Sequence, residues 1–211
     1  MRGISKYIFS ILLFLPASVF SQNGEYSRGL RIGFDLSSAA ILAIEGEGVE
    51  TAVTADMNIT ERFFAVADAG YINSVKTGPG YDLSLNAIYM RAGADYNFYR
   101  QNNDVVAAGV RYGFSTFSRE TTSFMVEEGY WGNYTGTVPE RTLGSHWLEA
   151  VFSLKTELFS NVFIGWSLRG KVLLSKKDGA DMQEWHIPGY GMSNKSSTGG
   201  FNFYIFYRIP F

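Results

Sequence analysis

Apolar and polar side chains alternate with a period of two along most of this chain, and this pattern constrains the fold more than any other feature. The closing residues 199–211 show it clearly, because Phe201, Phe203 and Ile205 share one parity while Asn202 and Arg208 share the other. Successive side chains of a β-strand point to opposite faces, so this alternation predicts a strand with one apolar and one polar face. A soluble domain seldom ends on such a strand, since terminal residues usually fray.

The same alternation predicts eight strands. They cover residues 28–42, 48–58, 63–73, 87–98, 105–117, 145–157, 162–174 and 199–211. Strands of soluble proteins usually run to about 5–6 residues. The longer segments of this chain suit a tilted membrane crossing of ~9–11 residues with extensions beyond the lipid.

Charged residues fall on the polar face of nearly every predicted strand. The basic ones are Arg31, Arg91, Arg111, Lys155, Arg169, Lys171 and Arg208, and the acidic ones are Asp35, Glu50, Asp56, Asp95, Glu149 and Glu157. Asp68 is a possible further member, but its strand is the least regular, because Asp68 and Gly70 share parity with Phe64, Val66 and Ile72. A soluble barrel would carry its charges outside. The pattern therefore predicts an apolar face toward lipid and a lumen filled by an ion-pair network, although a substrate path is an alternative use of the same residues.

The connections between the predicted strands alternate between short and long. The long ones, 74–86, 118–144 and 175–198, would all lie at one rim of an up-and-down barrel, as the external loops of outer-membrane barrels do. The predicted fold is all-β, an eight-stranded antiparallel up-and-down transmembrane β-barrel. Because eight strands enclose a lumen that side chains can fill, we expect no open pore.

The N-terminus has the features of a cleaved signal peptide over residues 1–21. Arg2 and Lys6 precede an apolar stretch that is too short to span a membrane, and small residues follow it. The barrel domain is then 22–211, exported to the bacterial outer membrane. The chain has no cysteine, which excludes disulfides and thiolate chemistry, and a formal net charge of −2, which does not favour nucleic acid as a partner.

Several strings of this sequence resemble a known family. They are GLRIGFDLS (29–37), GADYNFY (93–99), GVRYGFSTF (109–117), HWLEAVFSLKTELF (146–159), IPGYG (187–191) and FNFYIFYRIPF (201–211). Together they resemble an uncharacterised outer-membrane β-barrel family of Bacteroidota, a domain of unknown function. The architecture is similar to that of small OmpA/OmpX-type barrels. The resemblance implies no activity, and it implies that Phe211 belongs to the signal read by the barrel-assembly machinery.

Few residues are candidates for chemistry. His146 lies beside Ser145 and near Glu149, as in a lipid A deacylase, but strand geometry would place His146 and Glu149 on opposite faces. We predict no catalytic, cofactor or metal site. The tryptophans, including Trp147, Trp166 and Trp185, are predicted to form interfacial girdles with the outward tyrosines Tyr96, Tyr112 and Tyr207. The aromatic residues Tyr130, Trp131 and Tyr134 of the longest loop are the candidates for partner contact.

The leading interpretation is a small, non-enzymatic, monomeric outer-membrane barrel with a structural or surface-interaction role. Its expected partners are outer-membrane lipid and the assembly machinery. A membrane-embedded lipid A-modifying enzyme, a periplasmic lipocalin-like binder and a narrow channel are the alternatives.

Overall fold

The computed structural model describes residues 29–37, 49–78, 81–99, 103–119, 122–128, 132–138, 141–176 and 186–210. Twelve strands lie in these ranges. Their bounds are β1 (Gly29–Asp35), β2 (Val49–Asn58), β3 (Phe63–Gly78), β4 (Tyr81–Asn97), β5 (Val105–Arg119), β6 (Thr122–Glu128), β7 (Gly132–Val138), β8 (Arg141–Phe159), β9 (Val162–Lys176), β10 (His186–Ile187), β11 (Gly191–Met192) and β12 (Ser197–Pro210). The predicted signal peptide and Phe211 lie outside the described residues. Among the described residues, no helix has the length and apolarity needed to cross a membrane.

Eight of the described strands close into one antiparallel barrel. In order around the barrel they are β1, β2, β3, β4, β5, β8, β9 and β12. The first and last strands form the seam, with pairs running from Gly29 with Pro210 to Asp35 with Tyr204. The predicted eight-stranded antiparallel up-and-down barrel is therefore confirmed, and the structure shows that its closing strand pairs with the first.

The two ends of the barrel differ in their connections. At one end, which we call the turn end, tight turns join β2 to β3 and β8 to β9. Asn161 adopts a left-handed conformation with φ of 66° in the second of these turns. The first strand, β1, begins at Gly29 at the turn end, and the last strand, β12, ends there at Pro210. The opposite end, which we call the loop end, carries the long connections.

Three segments predicted as loops contain strand structure. Residues 118–144 include the hairpin β6–β7, which joins β4 through the pair of Tyr81 with Phe124. Residues 74–86 continue the β3–β4 ladder as far as Gly78 paired with Tyr81. Residues 175–198 include the small hairpin β10–β11. These strands extend beyond the barrel wall, where neither face has to be apolar. Backbone hydrogen bonds alone can pair them, so their sequences lack the alternating pattern that predicts a strand.

The alternation of faces along the barrel strands matches the sequence pattern, with one correction in β3. Arg91, Gly93 and Asp95 of β4 face the lumen, whereas Ile88 and Met90 are exposed on the outer wall. In β3, however, the apolar residues Phe64, Val66 and Ile72 are buried in the lumen together with Asp68, and the small residues Ala65, Ala67 and Ala69 lie outside. The parity of the whole strand follows Asp68, whose carboxylate has its cationic partners inside the barrel.

The lumen is layered rather than polar throughout. An apolar cluster that includes Tyr89, Phe117 and Trp147 lies toward the loop end. Two smaller apolar clusters, one around Phe64 and one around Phe163, lie toward the turn end. The ion pairs occupy the space between these layers. The sequence analysis predicted the ion-pair network in the lumen but not these apolar layers on either side of it.

Large side chains fit inside so narrow a barrel because glycine lies opposite them on the neighbouring strand. Gly70 pairs with Tyr89, and Gly113 pairs with Trp147. A Cβ at Gly70 would be 2.1 Å from Cζ of Tyr89, and a Cβ at Gly113 would be 2.3 Å from Cε2 of Trp147. The ring therefore covers the bare backbone of its cross-strand partner and packs closely against it.

Candidate functional site

The middle of the lumen holds three arginines around two carboxylates. Asp68 Oδ2 accepts from Arg111 Nη1 at 2.8 Å and lies 3.4 Å from Arg169 Nη1. Arg91 Nε lies 3.5 Å from the same oxygen. Glu149 is the second carboxylate, with Oε2 at 2.8 Å from Arg169 Nη1 and Oε1 at 3.6 Å from Arg91 Nη1. All of these side chains are almost completely buried, so the charges must compensate one another.

Neutral donors and acceptors complete this group. The indole Nε1 of Trp147 donates to Glu149 Oε1 at 2.7 Å. Arg169 Nη2 donates to the hydroxyl oxygen of Tyr204 at 2.6 Å. Arg111 also reaches Asp95, at 3.1 Å from Nη2 to Oδ2. The residues of this group come from six barrel strands, β3, β4, β5, β8, β9 and β12, so their bonds join the wall across the lumen.

A second cluster lies nearer the turn end. Asp56 is shared by two cations, with Oδ1 at 2.6 Å from Arg31 Nε and Oδ2 at 2.5 Å from Lys155 Nζ. The Arg31 guanidinium also lies over the ring of Phe64, at 4.8 Å from its centroid. The apolar layer at this end therefore contacts a cation directly, through a cation–π interaction between Arg31 and the face of the Phe64 ring.

The third cluster ties the closing strand to the turns. Arg208 Nη2 lies 3.2 Å from Glu157 Oε1, and its Nε donates to Asn161 Oδ1 at 3.1 Å. Glu157 also accepts from the backbone N–H of Asn161 at 2.8 Å and from Asn103 Nδ2 at 2.5 Å. Glu157 adjoins a bulge between β8 and β9, which turns its carboxylate toward these donors.

A short segment closes the loop end of the lumen. We call residues 186–193 the plug, since Ile187, Pro188 and Tyr190 are fully buried inside the barrel mouth. The Tyr190 ring lies 6.0 Å from the Trp147 ring between centroids. Gly189 has a φ of 76°, and its Cβ would lie 2.7 Å from Cγ of Tyr89. The plug therefore needs glycine at this position both for its backbone conformation and for its contact with the tyrosine ring.

Polar bonds hold the plug in place. Lys171 Nζ donates to the carbonyl oxygen of Gly189 at 2.7 Å and lies 3.3 Å from that of Tyr190. Thr198 Oγ1 donates to the Tyr190 carbonyl oxygen at 2.8 Å. Lys171 was expected only in the ion-pair network, so its role as an anchor of the plug is an addition that sequence reasoning missed. Burial lowers the pKa of His186, and the nearby positive charge of Lys171 lowers it further.

The structure places most of the predicted network inside the barrel. Arg31, Asp35, Asp56, Arg91, Asp95, Arg111, Glu149, Lys155, Arg169 and Arg208 are all buried in the lumen, and Lys171 is partly buried there. Asp35 lies apart from the three clusters and accepts from Asn202 Nδ2 at 2.6 Å. Glu50 lies in β2, but its side chain is outside the described part of the structure, as are Tyr130, Trp131 and the side chain of Tyr134.

Asp68 is the main network residue that sequence reasoning left open. The signal was available in the sequence, because a charged side chain that faces lipid is energetically costly. The side of β3 that carries Asp68 should therefore have been assigned to the lumen. Trp147 was wrongly predicted in a girdle; it points into the lumen and is fully buried, because it shares parity with Glu149. Trp166, Tyr96, Tyr112 and Tyr207 do face outward.

The candidate catalytic residues do not converge. His146 lies exposed on the outer wall, where its Nδ1 and the Tyr112 hydroxyl oxygen are 2.9 Å apart. Glu149 is buried in the lumen, on the opposite face of β8. Ser145 also faces inward, away from His146. Among the described residues, no group of three or more histidine or acidic side chains is arranged to hold a metal ion.

Comparison with known proteins supports the resemblance noted in the sequence only as far as membership of a family of unknown function. A search of curated proteins gave no match. The family model described as Domain of unknown function (DUF6048) matches residues 4–211. Because this match covers nearly the whole chain, the protein belongs to the DUF6048 family.

Proposed function

We propose that this protein is a small, monomeric outer-membrane β-barrel with a filled lumen and a structural or surface-interaction role. The observation that carries the proposal is the reversed arrangement of its faces. Buried ion pairs fill the lumen, while Val110, Ile88 and Tyr207 are 62%, 57% and 57% exposed on the outer wall. A soluble monomer rarely exposes a continuous apolar surface, whereas a barrel in lipid requires one.

The dimensions of the outer wall support a membrane location. Outward apolar positions run from Ile88 of β4 to Phe98 just after it, and from Val162 to Leu174 on β9. These spans match the ~9–11 residues that a tilted strand needs to cross a bilayer. Phe98 and Phe159 mark the turn end of the apolar band, and the exposed His146 lies near its loop end.

The proposed orientation places the turn end in the periplasm and the loop end outside the cell. Outer-membrane barrels have short periplasmic turns and longer external loops, and this barrel has the same asymmetry. Export by a signal peptide at residues 1–21 and insertion by the barrel-assembly machinery belong to this proposal.

Surface interaction is proposed to occur at the loop end. The hairpin β6–β7 extends the β-sheet beyond the barrel ring, and Tyr134 lies on β7. Tyr130 and Trp131 lie between β6 and β7 in the sequence. We propose that these three aromatic residues contact the partner, because aromatic side chains are enriched at protein interfaces.

The filled lumen disfavours a channel, and the separated residues disfavour an enzyme. The plug closes the loop end of the lumen, and the clusters of Asp68 and Asp56 fill it below. His146 and Glu149 lie on opposite sides of the wall, so they cannot share a proton. A lipocalin-like binder would need an apolar cavity, whereas this lumen is crossed by ion pairs.

Membrane location is tested by expressing the chain with its N-terminal segment in a Gram-negative host and separating the membranes. We expect the protein in the outer-membrane fraction, resistant to carbonate extraction and migrating differently on gels with and without heating. Recovery in the soluble or carbonate-extracted fraction would contradict the proposal. The purified protein should give no conductance steps in a planar bilayer, and regular single-channel steps would contradict the filled lumen.

A further inference from the structure

A small cavity lies inside the barrel between the Asp68 and Asp56 clusters. Its volume is about 10 Å³, close to the space that one water-sized particle needs. Side chains from β2, β5, β8, β9 and β12 enclose it. The polar residues among them are Thr54, Arg111, Ser153, Lys155, Ser167, Arg169 and Tyr204.

The lining of this cavity is rich in hydrogen-bond donors. Three of the lining residues are cationic, the others just named carry hydroxyl groups, and no described residue that lines the cavity is a carboxylate. Four buried polar atoms of lining residues have no hydrogen-bond partner among the described residues. They are Nε of Arg111, Nε of Arg169, Oγ of Ser153 and Oγ of Ser167.

The nearby carboxylates contact the cations that line the cavity, and one of them is shared with a further cation. Asp68 contacts Arg111 and Arg169 from one side, and Asp56 is shared between Lys155 and Arg31. Among inward-facing side chains that the structure describes, seven are basic and six are acidic, with Asp68 included. Beside the cavity, Arg31 and Lys155 share the single carboxylate of Asp56, so this cluster has one positive charge more than it has negative charges.

We propose that this cavity binds a single monoatomic anion of the size of chloride. A guanidinium Nε–H can only donate, and an anion accepts from every donor around it, whereas a water molecule accepts about two bonds. Hydroxyl groups of Ser153 and Ser167 can turn their hydrogens toward the anion.

The direct test uses the unmodified protein. The protein is refolded from urea into detergent in sodium bromide instead of sodium chloride, so that the buried site forms in the presence of the probe. A crystal structure from data collected at the bromine absorption edge should then show an anomalous peak in the cavity beside Ser153 and Ser167. Density for a water molecule without an anomalous peak would overturn the proposal.

A matched pair of variants tests the same site in solution. Ser153 and Ser167 line the cavity, whereas Ser115 and Ser145 are equally buried, also lack a hydrogen-bond partner among the described residues, and do not line it. Urea unfolding is measured at constant ionic strength as gluconate is replaced by chloride. Chloride should raise the unfolding midpoint of the wild type and of Ser115→Ala/Ser145→Ala, because a ligand that binds only the folded state stabilises it.

The variant Ser153→Ala/Ser167→Ala should lose most of this chloride-dependent shift. A wild-type midpoint that is independent of chloride would overturn the proposal, and so would an unchanged shift in Ser153→Ala/Ser167→Ala. If this variant does not refold, the bromide experiment on the wild type decides the question alone.

Discussion

At the scale of single residues, the lumen depends on pairs in which a small residue makes room for a large or charged one. Gly113 accommodates Trp147 in this way, and Trp147 in turn donates to Glu149. A residue that looks permissive in the sequence is therefore tightly constrained by the residue across the ladder.

Replacement of Gly113 by alanine should destabilise the barrel. The new Cβ would lie 2.3 Å from Cε2 of Trp147, and overpacking of this kind costs about 1–3 kcal/mol. Gly170→Ala is the matched control, because a Cβ there meets nothing within 4 Å, and we expect a change within about 0.5 kcal/mol. The measurement is the free energy of unfolding in urea with the protein refolded in lipid vesicles. Equal effects of the two substitutions would contradict the packing described for Trp147.

Replacement of Asp68 by asparagine should cost about 3–5 kcal/mol of folding free energy, because it leaves buried guanidinium groups without their shared counter-charge. Asp104→Asn is the control. Asp104 accepts from the Thr156 hydroxyl at 3.0 Å and from the Glu157 backbone N–H at 3.2 Å, and an asparagine oxygen can accept both bonds. Urea unfolding of the two variants should separate them clearly. A similar small loss for both would show that Asp68 is not the centre of the network.

At the scale of elements, the plug is the part of the structure that responds to pH. His186 belongs to β10, and its pKa is lowered because the neutral ring is favoured by burial and by the charge of Lys171. When the plug is withdrawn or the chain unfolds, His186 titrates near its ordinary pKa of about 6.5. The stabilisation is therefore complete above about pH 6.5 and is lost as the pH falls from there toward the lowered pKa of the folded state.

We expect the free energy of unfolding to decline between about pH 7 and pH 5 in the wild type and to decline less in His186→Gln. His146→Gln is the control, since His146 lies exposed on the outer wall, and it should retain the wild-type decline. The measurement is the urea midpoint at a series of pH values. If His186→Gln retained the full decline, the plug histidine would not be the titrating group.

At the scale of the whole molecule, the barrel exists only when β12 meets β1. The seam pairs residues from the two ends of the chain, and Arg208 of β12 also bonds to Glu157 and Asn161 near the β8–β9 turn. Such long-range closure forms late and slowly, because distant parts of the chain must meet. We therefore expect closure of the β1–β12 seam to limit the rate of assembly.

Deletion of Phe211 should impair insertion into the outer membrane more than it changes the stability of the inserted barrel. We expect this because the proposed function makes Phe211 part of the signal that the barrel-assembly machinery reads, whereas the contact of Arg208 with Glu157 does not involve Phe211. Outer-membrane yield in cells and the urea midpoint of the refolded protein are measured for the same variant. Normal yield would count against an assembly role for Phe211. The control is Ile209→Val, a conservative change on the outward face of β12, and it should give the wild-type yield.

Much of the architecture can be read from the sequence, because a period of two decides which face each side chain occupies once a strand is closed into a barrel. Alternation determined the strand count of the barrel, the face of Arg31, Arg91 and Arg111, and the separation of His146 from Glu149. It did not determine the hairpin β6–β7, since ladders outside the barrel need no apolar face.

Only the tertiary structure decided which charges meet. Asp68 and Arg169 are far apart in the chain and come together across the lumen, and their contact depends on the stagger of the strands rather than on their parity. The same stagger brings Trp147 under Tyr190 and lets Lys171 hold the plug. Parity is a local property of a strand and can be read residue by residue. Contacts across the lumen depend on the closure of all eight barrel strands, which no single segment specifies.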